Sequence, residues 1–377
     1  MNRRLTRLPR LGVALAAFFA LTAQRPPDIP LDAATNRAVV ERVLKVVDQY
    51  YVSPEKAREV DKLLRQRMQA GAYDRITSAF DLLDALDEDM EKASRDPHLK
   101  LAYSHRPTPL IEGAEHLPES PAVREENRQA APTGNFGFEK LEHLPGNIGV
   151  LTLSRFERPE FGGEMAATAM TFLNTTDALI IDLRTSRGGD LDMVHLLASY
   201  FYPSNPPFHL GDMYSRPENR SQQFWTFPYL PGPRYVDKDI YILLSKNSFS
   251  APEGLASILQ HHKRATIVGE TTRGGTHPGV RVKVHENFAV FIPTDKFVYP
   301  TGEPKFVLGR PVYPTTRSDD DPQGVKPDIE VPARQALKAA HLEALKRLLE
   351  RAPDQKEDLE PIIESLRKEL EPTAAPE

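Results

Sequence analysis

Three short apolar runs, each followed by a polar turn, restrict what this chain can fold into more than any other feature. Residues 178–183 read ALIIDL, 239–244 read DIYILL and 265–268 read ATIV. Apolar and polar positions do not alternate in them. Each is therefore a strand buried on both faces, as in a sheet with helices packed on either side. Helical patterns follow at 191–201 and 252–261, and repeats of strand, turn and helix give an α/β domain. Just upstream, 136–141 and 148–153 flank Pro145-Gly146-Asn147 and predict a hairpin, and 164–173 predicts a helix.

Nearer the N-terminus the period is helical. Val39, Val43, Val47 and Tyr50 form one stripe, which Ser53-Pro54 stops. Residues 55–70 carry Val60, Leu63, Leu64 and Met68, and Gly71 ends them. Thr77 or Ser78 can cap a third helix that buries Phe80, Leu83, Leu86 and Met90. The expected organisation is an N-terminal helical bundle over 24–103, a Pro-rich linker over 104–134 and a β/α domain over 135–335. C-terminal helices and a tail over 336–377 complete it, with an amphipathic helix at 333–351.

Residues 1–23 read as an address. Arg3, Arg4, Arg7 and Arg10 precede the apolar run 11–23, and Gln24-Arg25-Pro26-Pro27 breaks it. This predicts a bacterial secretory signal cleaved near Ala23, hence a periplasmic or secreted protein. The run is shorter than the ~20 residues that span a bilayer, so no stable membrane insertion is expected. The alternative is a signal kept as a short anchor.

With 48 Lys+Arg against 53 Asp+Glu and a net charge of −5, the chain lacks the basic balance of a nucleic-acid binder. It has no cysteine, which removes disulfides, thiolate metal sites and a thiol nucleophile. Neither HExxH nor another zinc spacing occurs, and no Walker or GxGxxG spacing. Asp319-Asp320-Asp321 lacks the glycine and distal glutamate of an EF-hand. No metal and no cofactor are expected.

Chemistry concentrates in three turns. Asn247-Ser248-Phe249-Ser250-Ala251-Pro252-Glu253 joins a buried strand to a helix. Ser250 is either a helix cap or a nucleophile at the carboxyl edge of the sheet, beside free amides that can hold an oxyanion. The turn from Asp182 to Asp190 carries Gly188-Gly189, where backbone amides can face a ligand. The loop from Gly269 to Gly279 is glycine-rich and carries His277. His98 stands in Asp96-Pro97-His98-Leu99, just after the third helix.

Taken jointly and in order, these segments resemble the C-terminal processing (tail-specific) serine proteases. The likeness is closest to the branch without a PDZ domain, similar to the modules of interphotoreceptor retinoid-binding protein and to the tricorn protease core. Asp96-Pro97-His98-Leu99, 146–151, 178–184, 249–253, 269–272 and Gly324-Val325-Lys326-Pro327-Asp328-Ile329 carry the resemblance. It implies a helical N-terminal unit followed by a crotonase- or Clp-like β/α spiral core. It also implies an exported serine-type peptidase acting on peptides or proteins through an acyl-enzyme on Ser250.

The processing branch uses a lysine 25 residues after the serine. Here that position is Gly275, and no lysine occurs between Lys263 and Lys283. The tricorn-like branch uses a histidine, which the resemblance maps onto His98, with an acid that falls on Asp321. His277 is the rival base. The amides of Gly188, Gly189 and Ala251 are the implied oxyanion hole. The alternative function is a non-catalytic binder of a hydrophobic ligand or peptide on the same fold.

Overall fold

The computed structural model of the protein describes residues 26–107, 121–300, 305–307, 310–312, 315–318 and 324–371. The predicted signal over 1–23 and the predicted acid Asp321 lie outside the described residues.

Three helices open the fold, each started by a side chain that accepts an otherwise orphaned backbone amide. Asp32 caps α1 (Ala33–Tyr50), Ser53 caps α2 (Pro54–Gln69) and Ser78 caps α3 (Ala79–Ser94). Their stripes bury Val39, Val43, Val47, Val60, Leu64, Leu86 and Met90 in one cluster. Arg95, in a left-handed conformation (φ 58), ends α3. The chain then turns through Asp96-Pro97-His98 into β1 (Lys100–Tyr103).

The stretch 104–134 is not all linker. It contains α4 (Pro121–Ala130), a ten-residue helix with few apolar side chains to mark it by apolar spacing. The hairpin pairs β2 (Phe138–Leu144) with β3 (Ile148–Leu153). Its first strand starts at Phe138 rather than at 136, because Asn135 and Phe136 take left-handed conformations (φ 46 and 56). Next come α5 (Pro159–Leu173), β4 (Ala178–Asp182) and α6 (Leu191–Ser199). Residues 203–238 hold β5 (His209–Ser215) and β6 (Arg220–Trp225), which the sequence reading did not mark. After β7 (Asp239–Leu244), α7 (Ala251–His261) and β8 (Thr266–Gly269) the chain forms β9 (Gly279–Lys283), β10 (Phe288–Pro293) and β11 (Asp295–Pro300). Short strands follow: β12 (Lys305–Val307), β13 (Arg310–Val312), β14 (Thr315–Ser318) and β15 (Ile329–Glu330). Helices α8 (Ala336–Arg351) and α9 (Lys356–Leu370) close the described chain.

The central sheet runs β15-β8-β7-β4-β3-β2 and is parallel except at β2. Side chains alternate across it. Leu179, Ile181, Ile242 and Leu244 face the layer of α5, α6 and α7. Ile180, Tyr241, Leu243 and Val268 face α8 and α9. The C-terminal helices are thus one of the two covering layers rather than an appendage. A second sheet, β14-β11-β5-β6, packs Leu210, Phe297 and Tyr299 into the first layer.

A third sheet, β1-β10-β9, departs from the expected division of the chain. Residues 279–293 fall within the stretch 135–335 expected to form the β/α domain. Instead Val282, Phe288, Val290 and Ile292 join Leu101 in the cluster of the three helices. The helices leave one face of their shared core open, and a strand pair with period-2 alternation closes it. The architecture is mixed α/β, with N-terminal helices and a β-sheet core.

Candidate active site

Strands β4 and β7 are neighbours and end at the same edge of the sheet. The turns that leave them are joined by three hydrogen bonds. Ser248 Oγ donates to the Leu183 carbonyl (2.8 Å), Ser245 Oγ to the Arg184 carbonyl (2.6 Å) and the Phe249 amide to the Ser186 carbonyl (3.2 Å). Ser250 is thereby set against Gly188. A Cβ at Gly188 would lie 3.2 Å from Ser250 Cβ and 3.5 Å from its Oγ.

Gly188 and Gly189 have φ of 119° and 143°, a region closed to most side chains. The Phe156 amide donates to the Gly188 carbonyl (3.1 Å), and the Asp190 amide donates to the Phe156 carbonyl (2.7 Å). This bridge uses neither the Gly188 amide nor the Gly189 amide. Ala251 opens α7, so its amide has no acceptor within the helix. Asp182 and Arg184 at the head of the turn hold each other (2.8 and 2.6 Å), and Arg184 also donates to the Ala333 carbonyl. They brace the turn against the C-terminal layer.

Ser250 has φ 73° and ψ −117°. A residue that merely caps a helix sits in the β region. A serine in this conformation costs about 1–3 kcal/mol, and it persists only where its surroundings enforce it. Glu253 supplies that enforcement. Its fully buried carboxylate accepts the Ser250 amide (2.6 Å), the Thr272 hydroxyl (2.6 Å) and the Gly274 amide (2.8 Å). Burial pushes this carboxyl up, opposed by the donors from Thr272, Ser250, Gly274 and Gly275. In the sequence Glu253 is only the last residue of the segment that joins a buried strand to a helix. In the structure it also pins the glycine-rich loop to the serine.

His98 reaches the same place from the other side. Its ring packs edge-on against Phe249 at 4.4 Å and lies 5.3 Å from the Phe291 ring. Its amide donates to Asp96 Oδ1 (2.9 Å). Its Nδ1 is buried and has no partner among the described residues. Burial holds the imidazole below its usual pKa, with the nearby His277 ring adding to the effect and the Asp96 charge opposing it. Asp96 is itself fully buried. Burial alone would raise its carboxyl, but His277, the His98 amide and the Tyr51 hydroxyl outweigh that and hold it below the usual range. Tyr51 donates to Asp96 Oδ2 at 2.9 Å. His277 Nδ1 stands 3.6 Å from the same oxygen, beyond hydrogen-bond distance.

Ser250, Ala251, Gly189, His98 and His277 line one cavity of about 510 Å³, and Gly188 abuts Ser250. Lys100, Arg281 and Phe291 line it too. Tyr51, Lys100 and Arg281 were not singled out in the sequence, and Asp96 was read only as part of its motif. The one local signal was an aspartate two residues before His98, a spacing that lets its side chain take the histidine's amide. Among the described residues no three His, Asp or Glu side chains cluster as metal ligands, and no helix is long and apolar enough to cross a membrane.

Residues 147–331 match the family model for peptidase family S41, and residues 30–132 match that for the N-terminal domain of peptidase S41 in eukaryotic IRBP. The chain belongs to peptidase family S41. Among S41 relatives, it is 29% identical over 163 residues to the carboxy-terminal-processing protease of Bartonella bacilliformis, covering 42% of this chain and 36% of that one. It is 29% identical over 131 residues to the carboxyl-terminal-processing protease of Synechocystis sp., covering 34% and 29%. The chain thus spans about a third of the length of these curated relatives. Its fold is similar to that of a candidate peptidase of Parabacteroides merdae, with a TM-score of 0.51 and 16% identity over 79% of this chain and 90% of that one. A Streptococcus agalactiae lipoprotein has a TM-score of 0.50 and 14% identity over 85% and 98%. The two S41 matches divide the site between them: His98 falls in the N-terminal match over 30–132, and Ser250 with its glycines in the match over 147–331.

Proposed function

We propose that this S41 chain is an exported serine-type peptidase that cleaves peptides or proteins through an acyl-enzyme on Ser250, with His98 as the base. The observation that carries the reading is the strained Ser250 backbone, held by a buried carboxylate and set against Gly188, where a Cβ would stand 3.2 Å from Ser250 Cβ. The Glu253 contact also completes a capping box, but a plain cap sits in the β region and needs no positive φ.

A serine hydroxyl is a weak nucleophile at neutral pH and needs a base within reach. His98 takes the Oγ proton as the serine attacks the carbonyl carbon, then returns it to the leaving amine. A depressed pKa keeps its ring neutral at working pH, the form a base requires. The amides of Gly188 or Gly189 and of Ala251 receive the charge that develops on the carbonyl oxygen. Asp321 serves as the acceptor that orients His98, whose buried Nδ1 calls for one. His98 is preferred to His277 because it packs on Phe249, next to the nucleophile, whereas the His277 ring is enclosed against Asp96. The basic and apolar start of the sequence supports export.

Labelling with a fluorophosphonate tests this directly. The wild type should label, Ser250→Ala and His98→Ala should not, and His277→Ala should keep measurable labelling. Loss in His277→Ala with full labelling in His98→Ala would transfer the base to the glycine loop. Labelling that ignores Ser250→Ala, or none at all, would leave a binder of hydrophobic ligands or peptides.

A further inference from the structure

The third sheet turns two unlike faces to its surroundings. Leu101, Val282, Val290 and Ile292 point into the helical core. The opposite face carries a row set by strand register. Lys100 of β1 and Arg281 of β9 both pair with Phe291 of β10. Directly paired residues share a face, and all three line the cavity that holds Ser250. The row therefore presents cation, aromatic ring and cation to whatever occupies the cleft, with the ring beside His98.

The two cations differ. Lys100 is committed to Glu91 (2.5 Å), with Asp87 at 3.9 Å. Arg281 is exposed on the edge strand of its sheet and has no acidic partner among the described residues. The acid on the cavity wall, Asp190, caps α6 and lies 3.5 Å from Arg158. An arginine fork left free in a cleft matches a carboxylate, which it can hold through two parallel hydrogen bonds. Neighbouring strands lie about 4.8 Å apart, so Arg281 is rooted within roughly two residues' length of a peptide extended along Phe291.

We propose that Arg281 forms a carboxylate-binding subsite of the cleft, so that the preferred peptides carry a carboxylate close to the bond beside Ser250. The carboxylate is either the chain's own terminus or an Asp or Glu side chain. This rests on the peptidase reading for its substrate but not for its readout, because binding can be measured with the serine removed.

The test uses the full chain carrying Ser250→Ala and fluorescent peptides of one neutral sequence, read by anisotropy at low salt. One peptide is amidated and neutral, one has a free C-terminus, and a set is amidated with a single Glu moved along the sequence. At least one carboxylate peptide should bind about five- to tenfold tighter than the neutral one, a modest effect because the arginine is exposed. An advantage confined to the free C-terminus identifies the terminus as the source, and one confined to Glu peptides identifies the side chain. Adding Arg281→Gln should erase the advantage, Arg281→Lys should keep part of it, and Arg281→Glu should favour lysine-bearing peptides. Equal binding of all peptides, no binding, or an advantage that survives Arg281→Gln would overturn the subsite. Failure of the peptidase reading appears elsewhere, as fluorophosphonate labelling absent from a wild-type chain that still prefers carboxylate peptides.

Discussion

Replacing Gly188 by alanine perturbs the candidate site with the smallest possible side chain. Two costs follow from the structure. The backbone at φ 119° lies where L-residues rarely go, a penalty of about 1–3 kcal/mol. The new methyl would also stand 3.2 Å from Ser250 Cβ, inside the contact distance of about 3.5–4.0 Å at which carbon atoms attract. Together they predict a stability loss of about 2–3 kcal/mol and a Tm lower by about 5 °C. The effect on chemistry should be larger. The methyl would lie 3.5 Å from the Ser250 hydroxyl, and relieving its contacts would turn the amides assigned to the oxyanion out of line; removing one such donor outright costs about 100- to 1,000-fold, the upper bound for this change. Fluorophosphonate labelling rates and a thermal melt on the same sample separate the two. Gly134→Ala is the control: its φ is −96° and its methyl would meet nothing within 4 Å, so neither readout should move. A Gly188→Ala chain that melts early but labels at the wild-type rate would refute the placement of the oxyanion at this turn.

The pH dependence follows from the direction of the His98 shift. Its neutral ring is the active form, so activity is present above the folded pKa and lost as pH falls through it. Because burial depresses that pKa from the ordinary 6.5, the acid limb of kcat/KM on a peptide substrate should have its midpoint below 6.5, and a midpoint at or above that value would count against His98. Tyr51→Phe removes a 2.9 Å donor to a fully buried carboxylate, so urea unfolding should show a loss of about 1–3 kcal/mol with an unchanged m value; wild-type stability would show that the hydroxyl is not needed there.

How much of this was legible in the sequence depended on how local the cause was. The strands of the central sheet announced themselves because burial on both faces leaves an uninterrupted apolar run, as in 178–183. Ser250 and Gly188-Gly189 stood out because a sharp exit from a buried strand needs particular residue types. β6 did not, since most of its residues are exposed and no alternation marks it. The alternation of Val280, Val282, Phe288 and Val290 can be seen in the chain, but period alone does not say which core a hairpin joins. The cluster of Tyr51, Asp96 and His277 brings together residues far apart in sequence, and only the fold supplies that proximity.

The hairpin that closes the helical core also sets an order of events. Val282, Val284, Phe288, Val290 and Ile292 are all buried in that core, and each such side chain contributes about 1.5–3 kcal/mol. Their sum is comparable to the whole net stability of a small domain, about 5–15 kcal/mol. During synthesis α1, α2 and α3 are complete long before these residues leave the ribosome, so the helices must wait for them as an unfinished core. β1, which follows His98 directly, pairs with β10 of that hairpin. A chain cut short before residue 279 lacks both the strands that seat β1 and one wall of the cleft, so an interrupted molecule is an inert one.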